Sequence, residues 1–357
     1  MAEQLISQTA KKILPPQGVR RILIRGTNWI GDAVLTLAAL SAVRNSYPGA
    51  RIFILVKPWV ADIFRLCPLV DEIIVYESPG IHEGIGGKLR LAGQLRSYEF
   101  DMAILLQNAF EAALLARLAG IPVRAGYNTD ARGLLLTHAV PMRRELKKIH
   151  QAEYYLQMVQ ALGCGGPEKG PFLRLTAEDE KKAETLLRTF GLQEQDLIIG
   201  MAPGATYGPA KKWRPARFGA LAEKLAVEFG AQTLLFGSAG DRETAKEVQR
   251  CSRYPLIDLA GGTDLRTAVA LMARCRLFIS NDSGLMHVAG ALNLPTIALF
   301  GSTNPVATAP IGERNIIVYH GVECSPCLRE TCPTDFRCLD GVTTEEVFDI
   351  AKGVLCR

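Results

Sequence analysis

Short apolar segments alternate with helical stretches along the whole chain. The apolar segments form two series: residues 21–25, 51–56, 72–76 and 101–106, then residues 197–201, 232–236, 276–280 and 295–300. Short continuous apolar runs are typical of strands that are buried in a parallel sheet. Because helices separate the strands, each series predicts a Rossmann-like α/β sheet. We expect the two parallel sheets to face an interdomain cleft that binds the ligand.

A Gly/Pro-rich segment at 163–171 separates the two series. This composition is typical of a linker between domains, and its glycines make it a natural hinge. We therefore predict an N-terminal domain over 1–170 and a C-terminal domain over 171–357. The C-terminal helix could pack back on the N-terminal domain.

The composition is that of an ordinary globular protein, with 22% charged and 48% hydrophobic residues. No apolar run reaches the length of a membrane span, and the start lacks the pattern of a secretory signal, so we predict a cytoplasmic location. Residues 1–170 hold 20 Lys and Arg against 14 Asp and Glu, whereas residues 171–357 hold 21 against 22. The basic first half suits an anionic partner such as a membrane surface, although each basic pair alone is more simply solvated surface.

A polar junction at residues 281–290 joins a predicted strand to a helix. Asp282 or Ser283 can cap this helix, Gly284 lets a ligand approach the backbone, and His287 lies about one turn further on. The free N–H groups and the positive dipole end of a helix start can bind phosphate or diphosphate. A well-capped helix with His287 satisfied in the core explains the same residues equally well.

A second junction follows the first predicted strand and carries a carboxylate. A phosphate-binding P-loop would need Gly-Lys-Ser/Thr where this chain has Gly31-Asp32-Ala33. Asp32 would repel phosphate, so we expect it to abstract a proton from a neutral hydroxyl. The alternative is that Asp32 only caps its helix, predicted over 32–44.

A long basic loop, 203–215, follows the first strand of the second series. Gly204 and Thr206 can offer backbone and hydroxyl donors to a ligand. Three cations that could neutralise a diphosphate leaving group follow in the loop: Lys211, Lys212 and Arg214. A solvated basic loop is the simpler explanation for any one of these lysines.

Taken together, these motifs resemble the lipopolysaccharide heptosyltransferases, which are family 9 glycosyltransferases of the GT-B fold. The resemblance covers nearly the whole chain, through Gly31-Asp32 and the segments 203–213, 235–239, 281–287 and 291–295. The Gly-Pro-Ala-Lys-x-Trp sequence in 203–213 points to the type II branch of the family.

The resemblance implies an inverting reaction of lipopolysaccharide core biosynthesis. ADP-L-glycero-D-manno-heptose would donate its heptose to the first heptose of Kdo₂–lipid A. Asp32 would be the catalytic base, Lys211 would hold the departing diphosphate, Asp241 would accept from the ribose hydroxyls, and Asp282 would fix the junction. The implied nucleotide-sugar site comprises Gly204, Thr206, Lys211, Asp241, Asp282, Ser283, Gly284, Leu285 and His287. The family is metal-independent, so we expect no metal and no other cofactor, no nucleic acid partner, and a monomer at the inner surface of the inner membrane.

Four cysteines fit neither the sheets nor this chemistry. The Cys-x-x-Cys spacing at the start of the group Cys324, Cys327, Cys332 and Cys338 suits tetrahedral zinc. Disulfides are disfavoured in a reducing cytoplasm, so zinc and reduced thiols remain the two alternatives.

Other functions remain open from the sequence alone. Heptosyltransferase I or another nucleotide-sugar transferase is the nearest alternative, since acceptor specificity would lie in loops 78–90 and 124–137, which carry no decodable pattern. A nucleotide-sugar-binding sensor and a cysteine-dependent redox or zinc module are the alternatives from other classes.

Overall fold

The computed structural model describes residues 15–168, 170 and 172–356, and the chain divides into two compact units. The boundary between these units lies between Leu173 and Arg174. The predicted boundary was 170/171, in a linker of which Lys169 and Pro171 lie outside the described residues.

The first unit contains a six-stranded parallel sheet in its described residues. Its strands are β1 (Arg21–Arg25), β2 (Arg51–Val56), β3 (Glu72–Val75), β4 (Met102–Leu105), β5 (Val123–Tyr127) and β6 (His138–Val140). Their order in the sheet is β3-β2-β1-β4-β5-β6. In the centre, Ile24 of β1 pairs with Ile54 of β2 and Ile104 of β4, all three fully buried.

Helices connect these strands, as parallel pairing requires. They are α1 (Ile30–Leu35), α2 (Leu37–Ser46), α3 (Ala61–Arg65), α4 (Gly84–Arg96), α5 (Phe110–Leu118) and α6 (Gln151–Ala161). Short 3₁₀ turns lie at Pro16–Gly18, Pro58–Val60, Arg132–Leu135 and Arg144–Lys147.

The second unit repeats this plan, again with a six-stranded parallel sheet in the described residues. Its strands are β7 (Ile198–Ala202), β8 (Gln232–Leu235), β9 (Ile257–Asp258), β10 (Leu277–Asn281), β11 (Thr296–Phe300) and β12 (Asn315–Tyr319). Their order is β12-β11-β10-β7-β8-β9. Its helices are α7 (Ala177–Thr189), α8 (Pro215–Phe229), α9 (Arg242–Arg250), α10 (Leu265–Met272), α11 (Gly284–Ala291), α12 (Pro305–Thr308), α13 (Arg337–Asp340) and α14 (Thr344–Leu355), with 3₁₀ turns at Pro209–Lys211 and Ala239–Asp241.

Both sheets have the doubly wound order in which the first and fourth strands are neighbours. The chain leaves β1 and β4 on opposite faces of the first sheet, and β7 and β10 on opposite faces of the second. Ligands bind in the crevice that this reversal opens at the carboxyl ends of the strands. The predicted α/β class with two parallel sheets is confirmed.

The predicted helix over 32–44 is wrong in its start and in its continuity. It begins at Ile30 with Trp29 at the N-cap, and Thr36 separates α1 from α2. The Thr36 hydroxyl donates to the Ala33 carbonyl oxygen at 2.6 Å, a local bond that competes with regular helix geometry. Asp32 therefore lies in the first turn rather than at the cap.

No helix in the described ranges is both long and apolar enough to cross a bilayer.

An ion pair between a buried carboxylate and a partly exposed arginine joins two helices of the second unit. The Asp179 carboxylate, in the first turn of α7, accepts bonds of 2.6 and 3.0 Å from Arg266 of α10. It also forms a capping box with Thr176. Hydrogen bonding from Arg266 lowers the pKa of Asp179 to about 2. A carboxylate whose pKa is lower in the folded than in the unfolded state stabilises the fold above its unfolded pKa.

We predict that Asp179→Asn lowers the free energy of unfolding by roughly 2 kcal/mol at pH 7. The difference from the wild type should shrink as the pH falls from about 4 to about 2, where Asp179 becomes protonated. Urea denaturation of the variant and the wild type, followed by circular dichroism at several pH values, measures this difference in the free energy of unfolding. Glu180→Gln removes an exposed carboxylate of the same turn and should change stability little; a loss equal to that of Asp179→Asn would contradict the prediction.

Candidate active site

The junction between β10 and α11 carries the anion-binding residues that the sequence predicts. Ser283 is at the N-cap of α11 with an extended backbone, and its side chain makes no cap hydrogen bond. Its hydroxyl oxygen lies 3.1 Å from that of Ser280 instead. Gly284 and Leu285 form the first turn and are partly exposed. The backbone N–H groups of this turn are therefore left available to an anion.

Asp282 directly precedes this helix start and holds Lys211 beside it. The buried Asp282 Oδ2 accepts from Lys211 Nζ at 2.6 Å and from Thr303 Oγ1 at 2.6 Å. Only 15% of the Lys211 side chain is exposed, and its Nζ lies 4.9 Å from the ring centroid of Tyr207. The carboxylate thus fixes the position of an ammonium group, which keeps two further N–H donors.

Asn281, the last residue of β10, forms hydrogen bonds to residues near both ends of the basic loop. It is fully buried, and its Nδ2 donates to the Pro203 carbonyl oxygen at 2.7 Å. Its Oδ1 accepts from the Trp213 backbone N–H at 3.0 Å. Sequence reasoning assigned Asn281 no role, although an amide side chain at the end of a buried strand is a visible signal.

Trp213 fixes the end of the same loop. Its ring is fully buried, and the ring centroid lies 5.0 Å from that of Phe218 in an edge-to-face arrangement. The Trp213 Nε1 donates to the Val342 carbonyl oxygen at 2.8 Å. The Ala210 backbone N–H donates to the Glu330 carbonyl oxygen at 2.9 Å. The loop that carries Lys211 is therefore held by several independent bonds.

Gly204 and Asp241 lie against each other at the ends of β7 and β8. A Cβ at position 204 would be 2.2 Å from Asp241 Oδ1, so any larger residue there would require the Asp241 carboxylate to move. Asp241 Oδ2 accepts from the backbone N–H and the hydroxyl of Ser238 at 2.9 and 2.7 Å. This gives Asp241 a structural role at its turn, and its predicted bond to ribose stays a prediction. Thr206 is exposed further along the loop.

His287 lies on α11 about one turn after Ser283, as predicted, and is 5% exposed.

The structure brings together the ends of β7, β8 and β10, with Gly204, Lys211, Asp241 and Asp282.

In the first unit, Asp32 lies in the first turn of α1 and is partly exposed. Burial and then the negative charge of Asp32 raise the pKa of Tyr155 on α6. Because Trp29 occupies the N-cap, capping at that position does not account for Asp32.

A buried charged cluster that sequence reasoning missed surrounds the ends of β1 to β3. Burial lowers the pKa of Arg25 to about 10, and its guanidinium donates to the Leu55 carbonyl oxygen at 3.1 Å. Lys57 Nζ lies 4.0 Å from the Tyr76 ring centroid. The Tyr76 hydroxyl donates to Glu111 Oε1 at 2.7 Å. The signal in the sequence was a basic residue at or directly after the end of the apolar strands β1 and β2.

The four cysteines of residues 324–338 line one cavity of about 280 Å³. Hydrogen bonding to Thr334 lowers the pKa of Cys332 in this cavity. In the part of the chain that the structure describes, no group of three or more Cys, His, Asp or Glu side chains is arranged to hold a metal ion.

Comparison with known proteins gives consistent results. The family model described as glycosyltransferase family 9 (heptosyltransferase) matches residues 88–336. Lipopolysaccharide heptosyltransferase 2 of Escherichia coli is 32% identical over 85% of this chain and 90% of the relative. Lipooligosaccharide heptosyltransferase 2 of Haemophilus influenzae is 34% identical over 83% of this chain and 88% of the relative. Lipopolysaccharide heptosyltransferase 1 of Pseudomonas aeruginosa is 27% identical, over 87% of each.

The solved structure of Escherichia coli ADP-heptose lipopolysaccharide heptosyltransferase II is similar to this chain with a TM-score of 0.81 and 29% identity. The match covers 94% of this chain and 98% of that structure. The predicted GT-B fold class and the predicted family are confirmed. The chain belongs to glycosyltransferase family 9, the heptosyltransferases.

Proposed function

We propose that this protein transfers L-glycero-D-manno-heptose from ADP-heptose to the first heptose of Kdo₂–lipid A, the type II reaction. The observation that carries the donor assignment is the Lys211–Asp282 pair beside the open first turn of α11. The type II acceptor is supported by the identity to the type 2 enzymes of Escherichia coli and Haemophilus influenzae, 32% and 34%, which exceeds the 27% identity to the type 1 enzyme of Pseudomonas aeruginosa.

The donor half of the reaction needs stabilisation of ADP as it leaves. When the bond from the anomeric carbon to the diphosphate oxygen breaks, negative charge grows on that oxygen. Lys211 and the N–H groups of Gly284 and Leu285 are suited to receive this charge, because they are positioned before the substrate arrives. The substrate diphosphate itself needs no metal in this scheme.

The acceptor half needs a base, since the attacking hydroxyl must lose its proton. Asp32 would take this proton while the hydroxyl oxygen forms the new bond to the anomeric carbon. A single displacement of this kind inverts the configuration at that carbon. The exposure of Asp32 in the first turn of α1 is compatible with access by a hydroxyl.

Transfer assays with two purified acceptors test the function. We expect heptose transfer from ADP-heptose to Kdo₂–lipid A that already carries one heptose, detected by mass spectrometry. Transfer only to heptose-free Kdo₂–lipid A would favour the type I reaction. Binding of ADP-heptose without transfer to either acceptor would favour the sensor.

We predict that Asp32→Asn lowers kcat by about two to four orders of magnitude, because the amide cannot accept the proton. The affinity for ADP-heptose, measured by calorimetry, should stay close to that of the wild type. Activity within a few-fold of the wild type, or a change in donor affinity alone, would rule out Asp32 as the base.

We predict that Lys211→Ala lowers kcat/KM by a factor equivalent to roughly 2–4 kcal/mol, because Lys211 stabilises the leaving diphosphate. Lys212→Ala, which removes the same charge from the next residue, should lose far less. Steady-state kinetics measure both, and EDTA should leave the rates unchanged.

The Lys211→Ala, Asp282→Asn double variant separates catalysis from charge balance. If Lys211 only neutralises the buried Asp282, removing both charges should restore activity. If Lys211 acts on the diphosphate, the double variant should stay as slow as Lys211→Ala.

We also propose that the protein works as a monomer in peripheral contact with the cytoplasmic surface of the inner membrane, where its lipid acceptor would lie. Helix α4 supports this contact. Ile85 and Leu89 lie one turn apart and are 81% and 53% exposed, and Ile81 just before the helix is 53% exposed. The helix contains Arg90 and Arg96 but no acidic residue. An exposed apolar row with cations suits an anionic lipid surface.

We predict that the wild type binds vesicles of phosphatidylethanolamine and phosphatidylglycerol, and that Ile85→Glu, Leu89→Glu weakens this binding about tenfold or more. The substitution removes apolar contacts and adds repulsion from the anionic lipid. Co-sedimentation measures the binding. Val227→Glu is the control, because Val227 is 65% exposed on α8 of the second unit. Equal binding of the double variant and the wild type would exclude this surface.

A further inference from the structure

Two exposed tryptophans lie in the segments that follow β1 and β2, at the carboxyl end of the first sheet. Trp29 is the N-cap residue of α1, three positions before Asp32, and is 63% exposed. Trp59 lies in the 3₁₀ turn that follows β2 and is 48% exposed. Large aromatic side chains that remain exposed on neighbouring loops indicate a surface that binds a partner or ligand.

The loops that carry the two rings are fixed to each other. Trp59 Nε1 donates to the Asn28 carbonyl oxygen at 2.8 Å, so the loop after β2 is bonded to the residue before Trp29. The buried Arg25 donates to Asn28 Oδ1 at 2.9 Å and to the Leu55 carbonyl oxygen at 3.1 Å. One guanidinium therefore joins the loop that carries Trp29 to the end of β2, the strand that Trp59 follows. The backbones that carry the rings are ordered before a ligand binds, which lowers the entropic cost of binding.

The environment of the rings favours a sugar ligand. A sugar ring presents C–H groups on its faces and hydroxyls at its edge, so it can pack on an indole while its hydroxyls reach polar neighbours. Such neighbours are present here. Asp32 lies within one helical turn of Trp29, and Lys57 Nζ lies 5.9 Å from the Trp59 ring centroid.

We propose that Trp29 and Trp59 form the binding surface for the sugar rings of the acceptor, and that packing on these rings brings the reacting hydroxyl to Asp32. This inference rests on the proposed function, because it takes the acceptor to be a heptose-bearing core. The two tryptophans are positioning residues, and the proton goes to Asp32.

Tryptophan fluorescence gives a direct test with the unmodified protein. The chain contains three tryptophans, and the third, Trp213, is fully buried. Quenching by acrylamide therefore reports mainly Trp29 and Trp59. Deacylated heptosyl-Kdo₂–lipid A should protect the protein from this quenching, and ADP alone should not. The Trp29→Phe, Trp59→Phe variant supplies the baseline of Trp213. Saturating acceptor without protection would overturn the proposal.

Steady-state kinetics distinguish two roles of Trp29 and Trp59: packing against the acceptor sugar and supporting the loops. Trp29→Ala and Trp59→Ala should each raise the KM for the acceptor about tenfold, and leave the KM for ADP-heptose within about twofold. Trp59→Phe loses the bond to Asn28 but keeps an aromatic face, so it should stay within about threefold of the wild type. If Trp59→Phe is as impaired as Trp59→Ala, or if both substrates lose affinity equally, the residues only support the loops and the proposal fails.

The transfer assay and the quenching titration together distinguish failure of this proposal from failure of the proposed function. If the wild type transfers heptose only to the heptose-free core, the type II assignment is wrong, and the quenching titration is run with that core. Protection by that acceptor would still support the tryptophan surface, and its absence would overturn it.

Discussion

The nearly buried ion pair between Lys211 and Asp282 is the interaction on which the rest of the candidate donor site depends. The two side chains come from loops at the ends of neighbouring strands, β7 and β10, so the pair forms only when these strands lie side by side. Removing either partner would leave an uncompensated charge, a change that typically costs about 3–5 kcal/mol for a buried pair. Thr303 satisfies the same carboxylate oxygen from the loop after β11. Side chains from the loops after three neighbouring strands of the sheet, β7, β10 and β11, thereby meet at the Asp282 carboxylate.

The two units use the same strand order but carry different charged residues after the first strand. In each sheet the first and fourth strands are neighbours, and the segment between the first strand and the second carries the charged residue of interest: Asp32 in one unit and Lys211 in the other. A carboxylate suits the removal of a proton and an ammonium suits the binding of an anion. The fold therefore supplies the location, and the residue type at that location decides the function.

The central strands and the motif residues could be predicted from the sequence because they are local patterns. Four strands were missed: β5, β6, β9 and β12. Strands β5 and β6 lack a continuous apolar run, β9 has two residues, and β6, β9 and β12 are edge strands with one unpaired side. Lys211 and Asp282 could be identified singly, but their pairing depends on strand order and not on spacing. Arg25, Lys57 and Tyr76 escaped notice for the same reason, since only the sheet brings these distant residues together.

The bond from the Trp213 indole to the Val342 carbonyl oxygen connects the candidate donor site to the segment before α14. Val342 lies just before α14, and Arg217 of α8 donates to the same carbonyl oxygen. Arg214, the residue after Trp213, forms an ion pair with Asp340. The last secondary-structure elements of the chain thus support the loop that carries Lys211, although they contribute no residue to the candidate site. A protein shortened before Val342 would lose the support of its donor loop while it retained every candidate site residue.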